Sequence, residues 1–236
     1  MLLDAGISLK QIRARLEAIG WDPGLVAAVA ISHEHSDHIA ALPVLVRRTS
    51  WSFLVTADTL AAIQAAQGIE IPRERLVTLR AGHATDWDGL RILPFSVPHD
   101  AADPVAFRLE WGGFHAAVVT DLGHPTALVA DHCAGLDLLA LESNHDVQML
   151  REGSYPPALK ARILSRVGHL SNESMAGLLG NILCSRLKTV VLAHLSEENN
   201  DPALARFAAA EVLQHTGTTL HLACQGSPLA VAARPR

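Results

Sequence analysis

The sequence predicts an α/β (α+β) protein made of β-sheets that carry helices on their outer faces. Three observations lead there. Apolar runs of strand length alternate with helix-length stretches from one end of the chain to the other. Some neighbouring strands are separated by helices, whereas others are joined by a tight turn such as Gly112-Gly113. No linker, repeat or charge run breaks the alternation, so residues 1–236 are expected to form a single domain.

Leu2-Leu3 reads as the tail of a strand that closes at Asp4-Ala5-Gly6. Ser8, with Gln11 three residues on, forms a capping box for a helix whose apolar stripe is Ile12, Leu16 and Ile19. Gly20 and Asp22-Pro23-Gly24 stop that helix. The unbroken apolar run over 25–32 has the pattern of a buried strand. A helix follows His38, then a strand at Phe53-Leu54-Val55 and a helix from Asp58 to about Gln67. Strands are expected over 76–79, 90–97 and 105–111, the last turning at Gly112-Gly113 into a strand over 114–120. Beyond it come a helix near 125–132, a strand over 136–141 and helices near 156–167 and 172–185. A buried strand over 189–193, a helix over 202–214 and a strand over 218–222 complete the chain.

With 236 residues, 49% of them hydrophobic and 18% charged, the composition is that of a globular protein with an ample core. The longest apolar stretches fall well short of the ~20 residues a membrane span needs. The N-terminus lacks the basic start and small-residue cleavage site of a signal peptide. Cys133, Cys184 and Cys224 are odd in number, widely spaced and without a CxxC pair, which fits reduced thiols in a cytoplasmic protein. Formal net charge is −5 with histidines neutral, so nothing global advertises nucleic acid. That figure omits bound cations, and a two-metal site would add about four positive charges where a phosphate would sit. Local basic clusters at Arg13/Arg15, Arg47/Arg48, Arg73/Arg75 and Lys160/Arg162/Arg166 read as solvated helix faces or turns before they read as phosphate tracks.

The most informative segment is His33-Glu34-His35-Ser36-Asp37-His38, which sets His33, His35, Asp37 and His38 directly after the 25–32 strand. Imidazoles and a carboxylate at a strand end are the donors that a borderline divalent cation such as zinc takes. Core packing does not account for them. Three further donors, His99, Asp121 and His194, share one address, the C-terminal end of a predicted strand. Singly, each reads more readily as a satisfied polar group closing its strand. Together with the cluster they supply enough donors for two metal ions.

With these residues in place, the chain resembles the metallo-β-lactamase superfamily. The signature of that family is HxHxDH followed by a His, an Asp and a His at later strand ends. The likeness spans nearly the whole chain and implies a four-layer αβ/βα sandwich with a dinuclear centre, of zinc or manganese, along one edge. It implies that His33, His35 and His99 hold one metal, that Asp37, His38 and His194 hold the other, and that Asp121 bridges them. Asp4, in Leu-Leu-Asp-Ala-Gly, would orient ligands from behind, because a ligating imidazole needs its other N–H fixed. It also reads as a plain turn residue. Two metals about 3.5–4 Å apart lower the pKa of a bridging water, giving hydroxide near neutral pH, and neutralise charge on a phosphate or carbonyl oxygen. Asp37 would both ligate and accept a hydrogen bond from that nucleophile. No G-x-S-x-G arrangement suggests a serine in its place.

Asp37 beside His38, and an Asp instead of a Cys at 121, argue against the antibiotic-hydrolysing branch. Gly168-His169-Leu170-Ser171-Asn172 resembles an element of the phosphodiesterase branch, which includes ribonuclease Z and the phosphoribosyl cyclic-phosphate phosphodiesterases. The histidine of that element contacts the phosphate and protonates the leaving oxygen, a task suited to a group titrating near working pH. His169 also reads as a mere neighbour of a helix capped by Ser171. Tyr155-Pro156 with Lys160, Arg162 and Arg166 lies just upstream and would approach the same phosphate. Longer stretches resemble the small YycJ/WalJ-type bacterial exonucleases, which degrade DNA from the 5′ end. These are Leu2 to Gly6, Ile31 to His38, Leu141-Glu-Ser-Asn-His-Asp146, Gly168 to Asn172 and His194-Leu-Ser-Glu-Glu-Asn-Asn200. Glu142 and His145 would support the site or the substrate, or would simply close a strand with hydrogen bonds.

The expectation is a dinuclear metal-dependent phosphodiesterase acting on DNA, an exonuclease, with Asp37 and His169 catalytic. A small-molecule cyclic phosphodiesterase or a glyoxalase II-like thioesterase is the alternative enzyme. A non-catalytic metal-binding relic is the alternative from another class. The family opens with a strand pair ahead of the Leu-Leu-Asp-Ala-Gly strand, whereas this chain starts inside that strand. The fold is therefore expected to lack the pair, unless the start site is misassigned. His83, His115, His124, His132, His215 and His221 receive no role, although His124 lies near enough to Asp121 in sequence to border the site. Oligomeric state stays open.

Overall fold

In the computed structural model, which describes residues 1–232, the chain begins with β1 (Leu2–Leu3), α1 (Leu9–Ala18), β2 (Ala28–Ala30), α2 (Ser36–Ile39) and α3 (Leu42–Arg48). It continues through β3 (Ser52–Thr56), α4 (Ala57–Gln67), β4 (Leu76–Leu79), β5 (Thr85–Trp87), β6 (Leu90–Ser96), β7 (Val105–Trp111) and β8 (Phe114–Val119). The last part comprises α5 (Ala127–Cys133), β9 (Leu138–Glu142), α6 (Val147–Glu152), α7 (Pro157–Ile163), α8 (Asn172–Ile182), β10 (Thr189–Ala193), α9 (Pro202–Leu213) and β11 (Thr219–Leu222). No helix among the described residues is long and apolar enough to cross a membrane.

The strands form two sheets. One is parallel, in the order β1-β2-β3-β4. The other runs β11-β10-β9-β8-β7-β6-β5, parallel from β8 to β11 and antiparallel through β5 to β8. The period of two along each strand sorts side chains between layers. Val29, Ile31, Phe53 and Val55 pack with Leu9, Ile12, Leu42, Leu45 and Ile63 of the helices outside the first sheet. Ala28, Ala30 and Leu54 turn the other way and meet Ile92, Val105 and Phe107 of the second sheet. On that sheet's far side, Val119, Leu139, Leu141, Val190 and Leu192 pack with Val129, Met175, Leu179 and Ala209 of α5, α8 and α9. Four layers result, helix–sheet–sheet–helix, with each sheet buried between apolar partners.

Local chemistry trims several expected elements. The strand expected over 25–32 is confined to Ala28–Ala30, because Pro23–Leu25 forms a 3₁₀ turn. Asp22 caps that turn, accepting from the Gly24 N–H at 2.8 Å, and Leu25 is 75% exposed. The strand expected from 136 starts at Leu138, since the Asp137 N–H is drawn to the His115 carbonyl and its carboxylate accepts from the His115 N–H. The helix expected over 156–167 stops at Ile163, and the chain turns back on its end through the His169 N–H to Ile163 O hydrogen bond at 3.0 Å. The helix expected to 185 stops at Ile182. Elements outside the expected set include α2, which starts ahead of His38, β5, a short edge strand on β6, and α6, capped by Asp146, which accepts from the Met149 N–H at 2.8 Å.

Candidate metal centre

The described site residues gather where β1, β2, β6, β8, β9 and β10 end. His33 to His38 leave β2 and enter α2, whose first residues carry Asp37 and His38. His99 lies beyond β6, Asp121 beyond β8 and His194 directly beyond β10. Asp4, Asp121 and His194 all adopt left-handed backbone, with φ of 59°, 58° and 57°. Non-glycine residues rarely sit there, Asp and His among the more tolerant, and such conformations gather at functional sites. In each case the left-handed residue turns the chain at the strand end.

Four imidazoles have their Nδ1 side fixed by an acceptor. His38 donates from Nδ1 to Asp4 Oδ2 at 2.8 Å. Asp4 also accepts from the Ser32 N–H and Oγ–H, both at 2.7 Å, which leaves Ser32 Oγ to accept from His33 Nδ1 at 2.9 Å. His99 Nδ1 donates to the Gly168 carbonyl at 3.1 Å, and His194 Nδ1 donates to Glu142 Oε1 at 2.7 Å. Carbonyls and carboxylates only accept, so the tautomers follow from the partners and each Nε2 is left with a lone pair.

Those lone pairs converge. His33, His35 and His99 place one nitrogen each within 4.8 Å of one another, and so do donor atoms of Asp37, His38 and His194. His35 Nδ1 and His99 Nε2 are 3.3 Å apart, while Asp37 Oδ2 lies 3.7 Å from His38 Nε2 and 4.0 Å from His194 Nε2. Tetrahedral ligands about 2.1 Å from zinc lie roughly 3.4 Å from each other, so the spacing suits a cation in each set. Asp121 stands between the sets, with Oδ1 at 3.7 Å from His99 Nε2 and Oδ2 at 3.2 Å from His38 Nε2. His33 Nε2 and Asp121 Oδ2 are buried without a hydrogen-bond partner, the signature of atoms shaped for something other than protein. Burial, followed by the neighbouring imidazoles, pulls the His33 pKa down to about 2, keeping that ring neutral and its lone pair free. The residues present therefore fit two divalent cations.

Behind this centre lies Glu142, fully buried. Its Oε1 accepts from His194 Nδ1 and, at 2.9 Å, from His169 Nδ1, and its Oε2 accepts from the Leu122 and Leu170 N–H groups. Burial alone would raise its pKa, but the two histidines hold the carboxyl well below the usual range. Glu142, His169, His194 and Asp121 also form a group within metal-binding distance. Its ring nitrogens are the Nδ1 atoms already donated to Glu142, so it is a hydrogen-bonded brace.

The remaining expected residues divide. Arg162 reaches the site's cavity, and its guanidinium is paired with Asp100 at 2.5 and 3.1 Å. Lys160 Nζ instead donates to the Arg151 and Gly153 carbonyls at 2.8 and 2.6 Å, which ties down a turn. His145 is buried, joined to Ser171 by a backbone bridge and with an unpartnered Nδ1, away from both cation sets. His124 does not border the cations; it donates to the Arg166 carbonyl at 2.8 Å and accepts from the Arg166 guanidinium at 2.6 Å. Sequence reasoning gives no role to Ser32, Asp100, Asn144 or Gly6. Asn144 donates to the His194 carbonyl at 2.9 Å, steadying its left-handed turn. A Cβ on Gly6 would collide with the Asp37 carbonyl oxygen, so only glycine lets β1's loop lie against that turn. Ser32 and Gly6 stand inside stretches that carry the family resemblance, which is the signal that points to them.

Comparison with known proteins agrees with the geometry. Residues 1–194 match the family model described as a beta-lactamase superfamily domain. The chain is 34% identical over 217 residues to exodeoxyribonuclease YycJ of Bacillus anthracis, covering 92% of this chain and 82% of that one. It is 35% identical over 206 residues to exodeoxyribonuclease WalJ of Streptococcus pneumoniae, covering 87% and 77%. Its fold superposes on zinc-bound PqqB from Methylobacterium extorquens with a TM-score of 0.70 at 21% identity, over 97% and 82% of the two chains. The chain thus belongs to the beta-lactamase superfamily and is a metal-dependent hydrolase of the metallo-β-lactamase fold.

Proposed function

We propose that the protein is a dinuclear phosphodiesterase acting on DNA as an exonuclease. The observation that carries the two-metal reading is Asp121, whose two carboxylate oxygens face two separate donor sets, one of them buried and unpartnered. His33, His35 and His99 would hold one cation, and Asp37, His38 and His194 the other. Zinc or manganese, once bound, would lower the pKa of water and neutralise charge on the phosphate. Asp37, exposed at the mouth of the site, would accept a proton from the attacking water and align it.

His169 would protonate the leaving oxygen. Its ring lines the cavity beside the metal centre, and its Nδ1–H is held by Glu142, which leaves Nε2 to carry and deliver the proton. A carboxylate that accepts from one nitrogen of an imidazole orients the ring and fixes which nitrogen faces the substrate. Because Glu142 holds His194 as well, the acid and a metal ligand are fixed to one carboxylate oxygen. The nuclease reading is supported by the relatives named exodeoxyribonucleases. A small cyclic phosphodiester is the second reading, favoured by the modest cavity of about 360 Å³.

The test is a panel assay on protein reconstituted with zinc or manganese, using 5′-labelled DNA, RNA, ribose cyclic phosphate and a thioester. Metal-dependent release of mononucleotides from DNA is the expected result. Hydrolysis confined to the thioester overturns the phosphodiesterase reading, and hydrolysis confined to the cyclic phosphate overturns the nuclease one.

A further inference from the structure

The cavity of about 360 Å³ beside the metal centre is lined by Asp37, His169 and His194, by the apolar bodies of Tyr155, Leu159, Ile163 and Leu195, and by polar groups that include Asn144, Glu197, Glu198 and Gln225. A phosphate backbone running through this space would need cations. Among the described residues of the lining, Arg162 alone carries a fixed positive charge, and the Nε–Nη2 edge of its guanidinium is engaged by Asp100. Lys160, nearby in sequence, is held by two backbone carbonyls. The carboxylates of Glu197 and Glu198 make the space less hospitable still to an anion.

What the cavity does suit is an uncharged, flat, partly polar body of limited size. Tyr155 is the single tyrosine of the chain, it is only partly buried, and it makes no ring contact with another aromatic or with a cation among the described residues. An aromatic face left open at the edge of a polar site is a stacking platform for a nucleobase. The carboxylates and amides around it would accept from, and donate to, the exocyclic groups and hydroxyls of a nucleoside. The volume lies near the lower end of ligand pockets and is enough for one nucleoside.

On the phosphodiesterase reading above, we infer that this cavity is a subsite for the terminal nucleoside of a DNA strand, with Tyr155 stacking on its base. The scissile phosphate lies at the metal centre, the last nucleoside enters the cavity, and the rest of the strand leaves on the other side. Seating a chain end in this way fits exonucleolytic action, one nucleotide at a time.

The experiment compares the metal-loaded protein with Tyr155→Ala and Tyr155→Phe on three substrates. These are a short oligodeoxynucleotide, the same strand with an abasic terminal residue, and methyl trichloroethyl phosphate, an aliphatic diester that reports on the metal centre with no ring to stack on Tyr155. For the normal strand, Tyr155→Ala should lower kcat/KM about tenfold, chiefly through KM, and Tyr155→Phe should restore it. The abasic strand should lose about tenfold with the wild-type protein and nothing further with Tyr155→Ala, while all three proteins hydrolyse the methyl ester equally. Equal kcat/KM for normal and abasic ends in the wild-type protein overturns the subsite, as does an equal loss on all substrates with Tyr155→Ala. Failure of the wild-type protein to hydrolyse any phosphodiester, the methyl ester included, instead overturns the reading on which the subsite rests.

Discussion

The two halves of the proposed metal centre are built by different means. His33, His35, Asp37 and His38 come from one turn between β2 and α2, and a single carboxylate, Asp4, organises them through Ser32 and His38. His99, Asp121 and His194 come from the ends of alternate strands of the larger sheet. Their positions depend on register, with Val119 opposite Leu141 and Leu141 opposite Leu192. A slip of one residue would turn those side chains to the other face. The first half is therefore a local motif with a local support. The second half is a property of the whole sheet, steadied by Glu142 and the Gly168 carbonyl.

That contrast can be broken most forcefully at the residue shared by both halves. Asp121→Ala should drop bound metal below one ion per chain, by elemental analysis, and cut phosphodiester hydrolysis by at least ~10³-fold, the loss of several kcal/mol of transition-state stabilisation. Asp37→Ala should lose turnover comparably while the His33/His35/His99 set still takes up one metal. Unchanged hydrolysis in that variant would sink the two-metal reading.

His169→Ala comes next, since it removes the proton donor and no proposed ligand. Its kcat should fall by about 10²–10⁴-fold with metal content intact. A loss under about threefold would return His169 to the role of a helix neighbour. Asp4→Asn is expected to act on the local half alone, weakening metal affinity about 10–100-fold. Because that half gives two ligands to each donor set, both metals should weaken together in a stepwise chelator titration, and weakening of one alone would show that Asp4 does not support the half as a unit. Gly6→Ala removes no ligand and is read as stability instead of chemistry. Its Cβ would overlap the Asp37 carbonyl oxygen, a backbone atom that cannot swing aside, so the loop after β1 must move, at a cost of at least about 3 kcal/mol, read as a fall in Tm of about 2–4 °C per kcal/mol.

The same division governs how much of the molecule is legible in its sequence. The capping box at Ser8, the Gly112-Gly113 hairpin and the alternating strands rest on neighbours in sequence, and they appear where expected. The donor cluster is equally visible because its members are contiguous. Glu142 is visible only as a strand-end acid, since its meaning comes from His169 and His194, both distant in the chain. Lys160 and Arg162 look alike on paper and differ only in which carbonyls or carboxylates lie near, which chain folding decides. The helix expected over 156–167 is too long for a related reason. Gly168 must lie against the Ile163 carbonyl, where a Cβ would collide, and the chain breaks its helix to reach that contact.

The left-handed turns at Asp4, Asp121 and His194 set stability against function. Left-handed backbone costs an L-residue with a Cβ roughly 1–2 kcal/mol that glycine would not incur. The hydrogen bonds of Asp4 and His194 offset that cost, whereas Asp121 Oδ2 has no partner to offset it, so selection for thermal endurance without metal would press position 121 toward glycine or asparagine first. A variant library ranked purely by the melting temperature of metal-free protein should drift toward inactive enzymes, and it should do so first at Asp121.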